Sequence, residues 1–318
     1  MAANDIIGLE DKRKMRTKSV PSSPLLYSVA LALLLGILAS NACAPAGPAS
    51  GAAPEIGAVQ TIQNKGSDTI VNLALAWAEA YTAQHPEVRI AVTGGGSGTG
   101  IAALINGTVD IANASRAMRP EELERARANG VEPVEHVIAA DAIAVVVHPS
   151  NPVDGLTIDQ LSEIFTGRVT NWQEVGGEDR PIVLLSRESN SGTHIYFLEE
   201  VVRKGKQGNQ ALFSPDTLLM PSSEGISYEI RQNPNAIGYD GLGYVTEDQK
   251  TLAVAIRADE PYVLPTIATV KDGSYPIARS LYMYTNGQPT GVIKDYLDCI
   301  LSDEGQAIVR KLGFVPLR

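Results

Sequence analysis

Apolar and polar positions along the chain switch repeatedly between a period near two and a period near 3.6, the marks of strand and helix. Val59–Lys65 (VQTIQNK) and the alternating Val88–Thr93 (VRIAVT) read as strands, as do Asp110–Ala114 (DIANA) and Val134–Ala139. Ala142–His148 (AIAVVVH) is continuously apolar, which predicts a strand buried on both faces. Further strands are predicted at Ile182–Leu185, Ala236–Asp240, Thr251–Ile256 and Leu281–Tyr284. Helical spacing follows Thr69, with Val71, Leu75, Ala78 and Tyr81 or Thr82 on one face, and the helix ends at His85-Pro86. Other helices are expected at Ile101–Asn106, from Pro120, and at Ile158–Phe165, Ile195–Val202, Glu224–Gln232, Val292–Leu301 and Glu304–Leu312. Strands alternating with helices predict an α/β protein with largely parallel sheets.

Four strand-to-helix junctions share one chemistry. They are Ser67-Asp68-Thr69, the loop Gly94–Gly100 (GGGSGTG) with Ser97, Gly98 and Thr99, the pair Ser115-Arg116, and Arg187–Thr193 (RESNSGT) with Ser191 and Gly192. Amides at a helix start lack intrahelical acceptors, hydroxyls add donors, and glycine lets backbone come close. Arginine offers a planar fork to two oxygens of one anion. In an open α/β sheet such loops gather at the carboxyl ends of strands, so together they could surround one compact oxyanion. Taken singly, such a loop is better read as ordinary helix capping; it is the repetition that favours a site.

The N-terminal stretch reads as an address. Lys12, Arg13, Lys14, Arg16 and Lys18 precede the apolar run Leu25–Ala39, which fits an export-signal core and is short for a membrane span. Ser40-Asn41-Ala42-Cys43 then resembles a bacterial lipoprotein cleavage site with lipidation at Cys43, although Ser40 stands where such sites usually carry Leu. Ordinary cleavage nearby or an uncleaved anchor are the alternatives. Ala44–Gly57 is rich in Pro, Ala and Gly and reads as a flexible tether. With Cys43 lipidated, Cys299 is expected to be a buried, unpaired thiol.

The 318 residues suggest about two domains. A net charge of −10 argues against a nucleic-acid partner, and 5 % aromatics leave little for stacking on bases or sugars. Two cysteines and four dispersed histidines make neither a disulfide scaffold nor a metal site, so neither metal nor cofactor is expected. The glycine loop is not a Walker loop, because Ile101 follows Gly100 where Lys is needed. Gly98–Ala103 matches the weak dinucleotide pattern without an acidic residue at the right distance. Ser97 lacks the glycine two residues on that a nucleophile elbow requires. His194 adjoins the hydroxyls and could act as a base, but a helix-surface histidine is the simpler reading.

Taken together, Gly66–Thr69, Gly94–Gly100, Asp110–Arg116 (DIANASR), Ile164–Trp172 (IFTGRVTNW), Arg187–Thr193 and Ala236–Tyr239 (AIGY) resemble the periplasmic phosphate-binding proteins of the phosphate ABC transporter, a class II solute-binding family. The resemblance covers residues 60–318. It implies a hinged two-domain α/β fold with the ligand in the interdomain cleft. The expected division is a signal segment 1–42, a tether 43–57, domain 1 from 58–147 and 257–318, and domain 2 from 148–256. It implies an extracytoplasmic protein, in the periplasm or at the cell surface, that carries inorganic phosphate to ABC transporter permease subunits; with the Cys43 reading, a membrane-anchored lipoprotein is expected, acting as a monomer. By family position Thr69, Ser97, Arg187, Ser191, Gly192 and Thr193 are ligand donors, with Ser67, Gly98 and Ser115 as further candidates. Well-studied members carry an acid after the Ala-Ser pair to accept the proton of hydrogen phosphate; this chain has Arg116 there. Asp68 is the candidate replacement and Glu188 the second. A phosphate-ester hydrolase using Ser191 or Thr193 with His194, a phosphate sensor or adhesin, and a receptor for another oxyanion such as molybdate are the alternatives.

Overall fold

The computed structural model describes residues 59–318; the export segment, the tether and Cys43 lie outside them. The chain runs β1 (Gln60–Gly66), α1 (Asp68–Gln84), β2 (Val88–Thr93), α2 (Ser97–Ile105), β3 (Ile111–Ala114), α3 (Pro120–Ala128) and the 15-residue β4 (Pro133–Val147). It continues through β5 (Gly155–Thr157), α4 (Ile158–Phe165), β6 (Val183–Arg187), α5 (Gly192–Phe197) and a π-helical turn at Leu198–Val202. Then come β7 (Leu218–Met220), α6 (Ser223–Gln232), β8 (Ala236–Gly241), β9 (Lys250–Ala255), α7 (Ile267–Lys271), β10 (Ala278–Asn286), α8 (Gly291–Leu301) and α9 (Asp303–Lys311).

The strands pair in the order β2-β1-β3-β10-β4-β8-β6-β7, with β9 also on β4 and β5 on β9. The sheet is mixed rather than largely parallel. β1 is parallel to β2 and β3, and β6 to β8, but β10 runs antiparallel to β3 and β4, and β4 antiparallel to β8 and β9. The two strands expected at 134–139 and 142–148 are one continuous strand. Asp141, which looked like a break, sits inside it, wholly buried and bonded.

β4 divides its partners along its length. Residues 133–142 pair with β10, and residues 143–147 with β8 and β9. Two apolar cores follow that division. In one, Ile62, Leu73, Trp77, Tyr81, Leu281, Tyr296 and Phe314 join α1, α8 and α9 to the β1 and β10 region. In the other, Val145, Leu156, Phe165, Trp172, Phe197, Tyr239 and Val254 gather around the second half of β4. Val263, Val270, Tyr275 and Ile277 also pack there, so the chain between β9 and β10 stays with this second core.

Two local expectations are corrected. The buried face of α1 is Ile70, Leu73, Ala74, Trp77 and Tyr81, whereas Leu75 is exposed; the indole Nε1 of Trp77 reaches Gly305 O at 2.9 Å and fixes the rotation of the helix. Cys299 is half-buried rather than buried, and burial raises its thiol pKa. Among the described residues no helix is long and apolar enough to cross a membrane.

Candidate functional site

The four hydroxyl-bearing junctions all leave the carboxyl ends of strands, and the fold draws them together. β1 must end in glycine. Gly66 has φ +148°, and a Cβ there would stand 2.1 Å from Asn113 O on β3. That approach lets Ser67 N donate to Asn113 O at 3.0 Å and starts α1 beside the end of β3. Ser67 precedes α1 without capping it through its side chain, and is buried. α2 begins at Ser97, earlier than the apolar pattern suggested, because Gly96 at φ +89° takes the cap position. Ser97 Oγ is therefore free to accept Ser115 N at 3.0 Å, and it lies 3.2 Å from Ser115 Oγ.

The loop after β6 closes on these groups. A Cβ on Gly192 would lie 2.4 Å from Ser97 Oγ and 2.5 Å from Ser115 Oγ, so only glycine lets this backbone reach the two serines. Thr193 Oγ1 is 2.7 Å from Thr69 Oγ1, joining residues 124 apart in sequence. Thr69, Ser97, Ser115, Gly192 and Thr193 are all buried. Ser191 Oγ accepts the amides of Thr193 and His194, so its oxygen caps α5. Gly98 and Thr99 stand one step outside and connect through Asn190: Gly98 N donates to Asn190 O at 3.0 Å, and Asn190 Nδ2 reaches Thr99 Oγ1 at 3.5 Å.

The charged residues are arranged differently from expectation. Arg116 turns away from the hydroxyls and forks onto Glu122, with both Nη–Oε distances 2.7 Å. The next helix supplies this partner: Glu122 belongs to the first turn of α3, where it also accepts Arg119 N at 2.9 Å. Burial alone would raise the Glu122 pKa, but these donors hold it below the ordinary value. Asp68 accepts Gly95 N at 2.9 Å through Oδ1 and Arg187 Nη2 at 2.9 Å through Oδ2. Each oxygen thus accepts one donor from the protein. Arg187 is buried and donates as well to Met220 O, Pro221 O and Ser223 Oγ, so the guanidinium braces the segment between β7 and α6 against the start of α1. Glu188 is exposed.

His194 does not face the hydroxyl cluster as a base. Its Nδ1 is 3.0 Å from Ser186 Oγ, its ring packs on Phe213 at 4.6 Å, and burial lowers its pKa. Among the described residues no group of three His, Cys, Asp or Glu side chains could hold a metal ion.

Two residues missed in the sequence stand beside the threonines. Arg279 on β10 donates through Nη2 to Thr193 Oγ1 at 2.9 Å and to Thr69 Oγ1 at 3.4 Å. Its Nε and Nη2 also donate to Asp141 Oδ2, at 3.3 and 3.0 Å. Asp141 is wholly buried; burial raises its pKa, against the opposing effects of Arg279 and of Leu242 N on Oδ1. The available signal was a lone acid inside an apolar strand, since a buried acid needs a partner and that partner must be basic.

The cluster offers hydroxyl and guanidinium donors, in a dry setting, to a small group rich in acceptors. The comparisons agree with that chemistry. A family model described as PBP superfamily domain matches residues 50–304. The chain is similar to the phosphate-binding protein PstS of Pseudomonas aeruginosa, 34 % identical over 303 residues, 89 % of this chain and 91 % of that one. It is also 34 % identical to PstS of Bacillus subtilis over 253 residues, 79 % of either chain. Among solved structures it is similar to one from Clostridium perfringens, described as a phosphate ABC transporter substrate-binding protein with bound phosphate. That similarity has a TM-score of 0.73 and 33 % identity, and covers 81 % of this chain and 100 % of that one.

Proposed function

Because this chain belongs to the PBP superfamily, and within it to the family of the phosphate-binding protein PstS, we propose that it captures inorganic phosphate outside the cytoplasmic membrane and delivers it to an ABC transporter. One observation carries the reading. Gly192 and Thr193 from one loop meet Ser97, Ser115 and Thr69 from three others, and all five are buried at one place. A tetrahedral anion there would take donors from every side while losing its water, which favours a guest that fills the donor geometry. The proposed ligand set is Ser67, Thr69, Ser97, Ser115, Gly192 and Thr193. Arg187 and Asp68 hold the loops, and Ser191, Gly98 and Thr99 support them.

The proposed hinge is the middle of β4 together with the start of β10. Domain 1 then comprises residues 59–142 and 278–318, and domain 2 residues 143–277. The return crossing moves from near 257 to near 278 because Tyr275 and Ile277 pack against the second core. The protein acts as a monomer tethered by a lipid on Cys43, and its partners are the permease subunits. Metabolic labelling with palmitate, wild type against Cys43→Ala, tests the anchor: an unlabelled wild type removes it.

Calorimetry of the purified protein against phosphate, sulfate and molybdate tests the ligand. Tight binding of phosphate alone is expected; heat from molybdate but not phosphate would overturn the reading. A hydrolase on this site would release phosphate from a chromogenic ester, and none is expected, because His194 is engaged with Ser186.

A further inference from the structure

A guanidinium has five N–H groups in one plane. In Arg279 the Nε hydrogen and one Nη2 hydrogen are held by Asp141, and the other Nη2 hydrogen points to the Thr69–Thr193 pair. The two hydrogens on Nη1 have no partner among the described residues, although that nitrogen is buried. Only 6 % of Arg279 is exposed, so solvent does not readily supply acceptors. A buried donor without an acceptor is destabilising, more so when charged. The planar fork puts one Nη1 hydrogen on the same edge as the Nη2 hydrogen that reaches Thr193.

From this geometry we infer that Arg279 is the cationic clamp of the site: its Nη1–Nη2 edge takes an oxygen of the bound oxyanion beside Thr69 and Thr193, and Asp141 is the positioning residue that holds the opposite edge. The inference rests on the phosphate-binding reading and deepens it. It transfers the role expected of Arg116 to a residue 163 positions further along the chain, because Arg116 is taken by Glu122. It also accounts for the acid inside β4. Asp141 turns the guanidinium, and its charge offsets that of Arg279 in a fully buried place. Tyr196 supports the same arrangement, with its ring 5.8 Å from the Arg279 guanidinium carbon and its hydroxyl on Ala278 O at 2.5 Å.

The test is calorimetry of the full chain with inorganic phosphate for wild type, Asp141→Asn, Arg279→Gln, Arg279→Lys and the neutral pair Asp141→Asn/Arg279→Gln. Arg279→Gln and the neutral pair are expected to bind about 100-fold more weakly or worse, the scale of losing a buried charge-assisted contact, and Arg279→Lys about tenfold more weakly. Asp141→Asn alone should cost about tenfold, and nothing further in the Arg279→Gln background, because a positioning residue acts only through its partner. Should Arg279→Gln fail to fold, leaving Asp141 unpaired, the neutral pair and Arg279→Lys decide. A folded neutral pair, or Arg279→Lys, binding within about threefold of wild type overturns the clamp. An equal cost of Asp141→Asn in both backgrounds overturns its positioning role. A wild type that binds no phosphate fails the functional reading itself and is distinguished at once.

Discussion

Arg187 Nη2 donates to Asp68 Oδ2 at 2.9 Å, tying the end of β6 to the start of α1 across 119 residues of sequence. The guanidinium is 1 % exposed and the carboxylate 15 %. Asp68 carries three links at once, since its Oδ1 accepts Gly95 N and its main-chain oxygen accepts the Tyr244 hydroxyl at 2.7 Å. In the proposed function its work is to hold loops together rather than to test the guest for a proton. Asp68→Asn is therefore expected to weaken phosphate and sulfate binding in parallel, by roughly 10- to 100-fold, the 1–3 kcal/mol of one impaired buried hydrogen bond. Competition titration with both anions checks this: a changed phosphate-to-sulfate ratio would restore Asp68 to a selective role.

Gly192→Ala places a methyl group where Ser97 Oγ and Ser115 Oγ already stand, at 2.4 and 2.5 Å. The clash arises between loops of different domains in the proposed division, and opening of the hinge relieves it. Phosphate affinity is expected to fall by roughly 10- to 100-fold, as for overpacking of about 1–3 kcal/mol, while the melting temperature of the ligand-free protein changes little. Calorimetry with differential scanning measurements separates the two effects.

Arg116→Ala should do the reverse. The Arg116–Glu122 pair is only 6 % and 8 % exposed, and removing one partner of such a pair costs about 3–5 kcal/mol of stability. Phosphate affinity measured well below the melting temperature should stay within about threefold of wild type. A large loss of affinity would return Arg116 to the site.

Burial pushes the Asp240 carboxyl up to about 6, against the opposing pull of Arg187, Ser223 and the Gly241 amide, with Asp141 adding to the rise. The folded state thus holds this proton more tightly than the unfolded chain. The resulting stabilisation is complete below the unfolded value near 4 and is lost as pH rises through about 6. Asp240→Asn removes the dependence, so its melting temperature should gain on wild type between pH 4 and pH 7, by the equivalent of a few kcal/mol at most. His194, lowered by burial, works in the opposite sense in both proteins and cancels from the difference. A constant offset across the range would show that Asp240 does not titrate there.

The loops of this site were legible because their chemistry is local. Serine, threonine and glycine at Ser67–Thr69, Ser97–Thr99 and Ser191–Thr193 sit at strand ends whatever lies around them. Partners were not legible. Ser115-Arg116 places a cation next to a candidate donor, yet Glu122, six residues on in the first turn of α3, captures it. Arg279 and Asp141 are 138 residues apart, and only the pairing of β10 with β4 brings them side by side. Asp141 also hid the continuity of β4, since an acid inside an apolar run reads as a break until its arginine is found. Leu75 misled for a related reason: spacing pointed to a face through Val71 and Leu75, whereas Trp77 with its bond to Gly305 turns Ile70, Leu73 and Ala74 inward instead.

Strand β4 threads both cores without interruption, giving about two thirds of its length to one and one third to the other. Neither core is self-contained as a result. Melting either one strips hydrogen-bonded neighbours from a backbone the other still needs, so disorder spreads along the shared ribbon instead of stopping at the proposed hinge. Heat should therefore denature residues 59–318 as one event, and a fragment cut within β4 should not persist as an independent folded piece.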